Sequence, residues 1–193
     1  MSIAAPDQAA RSARHPDSPY VGLVPYGEDD SDFFFGRSHE AAVVAANLRS
    51  SRLTIVYGPS GVGKSSLLQA GVVHGLREEA RSGESEHPFA VCVVRSWLDD
   101  PVGTLLEASR VALEELAGQP LDGPAATPVE MLRAWTEQAG TLLVLLDQFE
   151  EYFLYHQREG SGERLRGFAA VLAEIVNDPA LSVNVLLSIR EDA

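Results

Sequence analysis

Four short segments carry apolar residues at almost every position: residues 53–57 (LTIVY), 89–95 (FAVCVVR), 141–146 (TLLVLL) and 183–189 (VNVLLSI). Each has the length of a strand, and unbroken apolarity points to strands covered on both faces. Between them the apolar positions switch to helical spacing. Residues 39–48 are an Ala/Val-rich short helix, and a second helix spans 65–81. Residues 102–116 place Leu105, Leu106, Leu113 and Leu116 on one face, and 129–139 form another short helix. A helical stretch at 149–158 is broken by Gly160 and Gly162. Residues 163–177 are strongly amphipathic, with Leu165, Phe168, Ala169, Leu172, Ile175 and Val176 in phase. Residues 19–37 carry aromatics and Gly/Pro punctuation without a period, which predicts an ordered loop packed on the rest. Residues 1–18, rich in Ala, Ser, Pro and charge, read as a disordered tail. One domain over 19–193 is expected.

Apolar strands alternating with helices predict an α/β fold with a parallel sheet covered on both sides. Ligands of such sheets sit at the carboxyl ends of the strands. Function is therefore expected just after Tyr57, Arg95, Leu146 and Ile189.

The first of these places holds Gly58-Pro59-Ser60-Gly61-Val62-Gly63-Lys64-Ser65, followed by Ser66. It fits G-x-x-x-x-G-K-[ST] without a mismatch, between a predicted strand and a predicted helix. The glycines let several backbone N–H groups point inward at a phosphate. The helix that follows turns its positive end toward the same anion. Lys64 can reach the β and γ phosphates, and the Ser65 hydroxyl can coordinate Mg²⁺. Composition sharpens this. The 15 basic residues are 14 arginines and one lysine, Lys64. A lone lysine against that background suggests a position where a planar guanidinium fork would not fit, chance survival being the alternative that its neighbours in the loop argue against.

The third strand runs into Asp147-Gln148-Phe149-Glu150-Glu151. A carboxylate at a strand end beside a phosphate loop can hold Mg²⁺, and Asp147 takes that role. Simple ATPases place a glutamate directly after this aspartate, whereas Gln148 cannot act as a base. Glu150 and Glu151 follow a turn that can return either to the γ phosphate, or they favour the helix dipole alone. Arg190, directly after the fourth strand, can read a γ phosphate.

Charge and residue counts narrow the classes. The formal charge is −13, from 28 acids and 15 bases, which argues against direct nucleic-acid binding. Cys92 is the single cysteine, so no internal disulfide framework exists. The five histidines show no HxH or HxxxH spacing, which argues against a metal cage built wholly of protein ligands. No apolar run approaches the roughly 18 residues that span a bilayer, and the first residues lack the apolar core of a signal peptide. A cytoplasmic protein with no membrane partner is expected.

Four phrases together resemble one family: PYVGLVPYGEDDSDFFFGR, GPSGVGKSSLLQAG, LLVLLDQFEEYF and LLSIRED. They look like the nucleotide-binding domain of STAND-class P-loop NTPases, specifically the bacterial novel STAND group. The resemblance spans residues 19–192. It implies a three-layer P-loop NTPase fold whose last strand and helical lid are missing here. It implies an ATP-dependent, Mg²⁺-dependent switch in signalling or defence, with effector and sensor domains or partners and a nucleotide-dependent oligomer. By the same resemblance, Phe35, Gly36 and Arg37 approach adenine and ribose, and residues 20–23 line that pocket. Lys64 and Ser65 hold phosphate and Mg²⁺, Asp147 is the Mg²⁺ acid, Glu150 or Glu151 the catalytic acid, and Arg190 the γ-phosphate sensor. The ending Arg190-Glu191-Asp192-Ala193 departs from the family phrase, which closes on an aromatic.

Other classes fare less well. An ABC-type signature is absent, and the guanine-reading [NT]-K-x-D motif cannot exist with one lysine already placed. A small-molecule kinase remains the rival enzyme, with Arg77, Arg81 and Arg95 as acceptor contacts. A scaffold that binds nucleotide without hydrolysis is the rival outside enzymes, and Gln148 keeps it open.

Overall fold

The computed structural model describes residues 25–83, 85–123, 127–157 and 162–191. The predicted tail, residues 20–23 and the last two residues lie outside these. A 3₁₀ helix, Glu28–Phe33, comes first. Then follow α1 (Ser38–Ser50), β1 (Leu53–Gly58), α2 (residues 64–82), β2 (Phe89–Val94), α3 (Pro101–Ala117), α4 (Pro128–Ala139), β3 (Thr141–Leu146), α5 (Glu150–Gln157), α6 (Gly162–Asn177) and β4 (Val183–Arg190).

The four strands form one parallel sheet in the order β1-β4-β3-β2. Alternate side chains of each strand enter two different cores. Ala90, Cys92, Val94, Leu142, Val144, Leu146, Val183 and Val185 pack with α3, α4, α5 and α6. Phe89, Val91, Leu143, Leu145 and Leu186 pack with α1 and α2. This is the three-layer arrangement that unbroken apolar strands require. Cys92 sits in the first core, and burial pushes its thiol up to about 12.

β1 departs from the pattern. Among the described residues its one neighbour is β4, and Leu53, Ile55 and Tyr57 are exposed, Tyr57 by 63 %. Among the described residues the strand at the phosphate loop is therefore a sheet edge.

The segment expected to be one regular helix after the phosphate loop is continuous but not uniform. Lys64–Ser66 and His74–Ser82 are α-helical, and Leu67–Val73 between them is a π-helix. The wider turn runs past Gly71, where a Cβ would stand 2.9 Å from the Ala41 Cβ and 3.3 Å from a ring carbon of Phe34. The aperiodic loop ahead of α1 is thus held against α2 through Phe34, which also meets the Tyr26 ring at 6.1 Å. Phe35, by contrast, is 79 % exposed.

Two caps fix the other loops. The Asp100 carboxylate accepts from the Gly103 amide at 3.0 Å and opens α3, ending the loop that leaves β2. Thr127 and Glu130 form a reciprocal capping box at the start of α4.

Candidate nucleotide site

The carboxyl ends of β1, β3 and β4 meet around a pocket of about 480 Å³. Its wall includes Ser60, Gly61, Gly63, Lys64, Ser65 and Ser66 from the loop after β1. Gln148, Glu150 and Glu151 come from the turn after β3, and Ser188 and Arg190 from β4. These three stretches converge as their places at the strand ends lead one to expect. They do so because β4 lies between β1 and β3, with Gly58 in register with Arg190. Pro25 and Tyr26 close one side, and Leu154 of α5 another.

The phosphate loop has the expected form. Gly61 and Gly63 have φ of +79° and +78°, a region L residues seldom adopt. Gly63 immediately precedes the first turn of α2, whose open N–H groups face the loop. The Lys64 ammonium donates to the carbonyls of Gly58 and Pro59, at 2.7 and 2.9 Å. It is folded over its own loop. The Ser65 hydroxyl donates to Asp147 Oδ1 at 3.2 Å, which joins the two halves of the site. Ser66 Oγ accepts from the Tyr26 amide at 3.1 Å.

Asp147 is held from every side. Its amide donates to the Val94 carbonyl, tying the ends of β2 and β3. Its carbonyl accepts from Trp97 Nε1 at 3.0 Å. Its Oδ1 also accepts from the Gln148 amide at 3.0 Å, and Oδ2 stands 3.6 Å from Arg95 Nε. Gln148 has φ of +55°, which is strained for a residue with a Cβ. That reversal turns the chain so that α5 begins at Glu150 with both glutamates in the pocket wall.

The two glutamates differ. Glu150 is buried, and its Oε2 has no hydrogen-bond partner among the described residues. Glu151 is less enclosed. Burial, then the charges of Glu150 and Asp147, hold its carboxyl above the usual range. The Ser188 hydroxyl in the same pocket is also buried with no hydrogen-bond partner among the described residues.

Arg37 and Gly36 lie outside that wall. Arg37 donates to the Val62 carbonyl at 3.0 Å and pairs with Glu40, bracing the outside of the loop. Gly36 has φ of +83° and no atom near its missing Cβ.

Two contributors, Trp97 and the Tyr26 amide, are not named from the sequence, and a third, Arg95, is named there in another role. Trp97 backs the Asp147 turn and meets Phe149, Tyr152 and Phe168 edge to face at 5.2–6.0 Å. Arg95 reaches the Asp147 carboxylate instead of a separate acceptor. The Tyr26 amide binds the loop helix. The available signal was position, since Arg95 and Trp97 directly follow a strand on the ligand side of the sheet.

Comparison with curated proteins gives no match. Among solved structures, the chain resembles a Walker-type ATPase of Pyrococcus abyssi, with 19 % identity and a TM-score of 0.54 over 86 % of this chain and 48 % of that one. It also resembles the ORC2 protein of Aeropyrum pernix in its ADPNP–ADP complexes, with 21 % identity and a TM-score of 0.50 over 81 % of this chain and 41 % of that one. At these identities the likeness is one of fold, and this chain spans about half the length of these proteins or less. The family profile described as Novel STAND NTPase 1 matches residues 19–193, taking in every element from the Tyr26 loop to β4. With the phosphate loop, the Ser65–Asp147 contact and the parallel sheet in place, the chain belongs to the novel STAND NTPase family.

Proposed function

We propose that the chain is the Mg·ATP-binding, slowly hydrolysing switch module of a cytoplasmic signalling or defence protein. The observation that carries this is the 3.2 Å contact between Ser65 and Asp147 at the mouth of the phosphate loop. A hydroxyl and a carboxylate, both hard oxygen donors, suit Mg²⁺ there. Bound Mg²⁺ supplies charge neutralisation across the β and γ phosphates. Lys64 exchanges two backbone carbonyls for phosphate oxygens. Glu150 orients the attacking water, a role supported by its buried, unpartnered Oε2. Glu151 stands behind it as a second acid. Arg190, in the same wall, reads the γ phosphate. Gly36 and Arg37 take the adenine and ribose side, a reading that rests on the family phrase and on Arg37 touching the loop.

The switch reading also includes effector and sensor parts and nucleotide-dependent self-association, which the family relation supports. The exposed edge of β1 fits a module that works packed against further structure. No helix among the described residues is long and apolar enough to cross a membrane.

Calorimetry with Mg·ATP tests the binding half. Lys64→Ala is expected to weaken binding at least tenfold, about 1.4 kcal/mol, and unchanged affinity refutes it. Single-turnover hydrolysis tests the other half. Glu150→Gln slows it strongly and Glu151→Gln less, both with binding retained. If neither variant is slower, the catalytic role of the two glutamates fails; if the wild type itself shows no hydrolysis, the non-hydrolysing scaffold replaces this reading.

A further inference from the structure

The Asp147 carboxyl is buried, and the Arg95 guanidinium stands beside it. The aspartate is a hundredth exposed, and its Oδ1 is occupied by the Ser65 hydroxyl and the Gln148 amide. Its Oδ2 faces Arg95 Nε at 3.6 Å. Lys64, the other cation of the loop, is turned onto the Gly58 and Pro59 carbonyls. The strand ends fix this geometry. The Asp147 amide donates to the Val94 carbonyl, so Arg95 leaves β2 directly beside the aspartate.

An ion pair between two exposed groups would mean little. Here one partner is enclosed, and a buried carboxylate without a counter-ion is costly. The Arg95 side chain, by contrast, is 40 % exposed. A divalent cation at Ser65 and Asp147 would put like charges a few ångströms apart, and they repel. The cation and Arg95 therefore compete for one carboxylate.

Resting on the Mg²⁺ site proposed above, we propose that Arg95 is the resting counter-ion of Asp147, which a divalent cation must displace. It suppresses binding of the free cation. When cation and nucleotide arrive together, the displaced guanidinium finds phosphate oxygens in place of the carboxylate. Arg95 thereby makes the site selective for the metal–nucleotide complex over bare metal. It is a positioning residue, acting through Asp147.

The test is binding of Mn²⁺ alone, as an oxygen-seeking stand-in for Mg²⁺, to the nucleotide-free protein. Free Mn²⁺ is followed by electron paramagnetic resonance. Arg95→Gln is expected to bind Mn²⁺ about five- to tenfold more tightly than the wild type, the size of a partly screened charge repulsion. Arg95→Lys, which keeps the charge, should stay within about twofold. Asp147→Asn should abolish binding in either background. Affinity unchanged or weaker in Arg95→Gln, with Asp147→Asn still abolishing it, overturns the role of Arg95 and leaves the metal site standing. Mn²⁺ binding indifferent to Asp147→Asn overturns the metal site and this inference together. Thermal melts guard against a folding defect. Arg95→Gln should melt lower than the wild type without metal and gain more from added Mn²⁺. An equal Mn²⁺-induced shift in both proteins also overturns the proposal.

Discussion

Two buried tryptophans allow the support of Asp147 to be measured against an internal control. Trp97 and Trp135 are 1 % and 4 % exposed, in the same core. Trp97 Nε1 donates to the Asp147 carbonyl, whereas Trp135 Nε1 is buried without a partner among the described residues. Trp→Phe removes the same atoms at both sites, and the void costs about 1–2 kcal/mol each time. At position 97 the change also leaves the Asp147 carbonyl without its side-chain donor, a further ~1–3 kcal/mol. At position 135 it removes an unsatisfied donor, which returns ~1–3 kcal/mol and offsets the void. Trp97→Phe should therefore be the more destabilising by about 2–6 kcal/mol, read as urea unfolding of both variants under two-state conditions. Trp97→Phe alone should also weaken Mg·ATP binding, because the loosened Asp147 turn is shared with the site. Equal destabilisation, or a larger loss at Trp135, refutes the claim that the indole hydrogen bond holds this turn.

Three further outcomes follow from the geometry. Gln148→Val should cost about 1–2 kcal/mol, since a β-branched residue is worse in the left-handed region than Gln, while Gln148→Gly stays within about 0.5 kcal/mol because relieved strain offsets greater unfolded-state entropy. Denaturant midpoints decide this, and a stabilising valine sinks it. Asp178 accepts from the Ala180 amide and from Arg133, which hold its carboxyl below the ordinary 3.8. A depressed folded-state pKa adds stability at neutral pH that is progressively lost as pH falls below the ordinary 3.8 toward the folded value, so Asp178→Asn should be destabilised at pH 7, by a margin that shrinks as the pH is lowered below 3.8. Amide hydrogen exchange should be faster along β1, residues 53–57, than along β3, residues 142–146, because β1 is paired on one side. Equal protection of the two strands contradicts an edge position.

The local pattern was enough to place most elements. TLLVLL is β3 from end to end, and each other strand was located to within a residue or two, because continuous apolarity is what a strand buried on both faces needs. The phosphate loop was equally legible, since its glycines, lysine and serine act through the backbone of one contiguous stretch. The candidate acids and Arg190 could be named from their places at strand ends. What the sequence alone could not supply was strand order. The β1-β4-β3-β2 arrangement brings Ser65 within 3.2 Å of Asp147 and puts Arg190 beside Gly58. The same order leaves the apolar LTIVY strand at an edge, where its side chains are exposed although its composition matches a buried strand. The choice of Glu150 as the enclosed acid, the reversal at Gln148, the π-helical turn at Gly71 and the Arg95–Asp147 pair were likewise decided in three dimensions. Each depends on a partner distant in sequence or on the packing of a turn, and spacing along a chain carries no information about either.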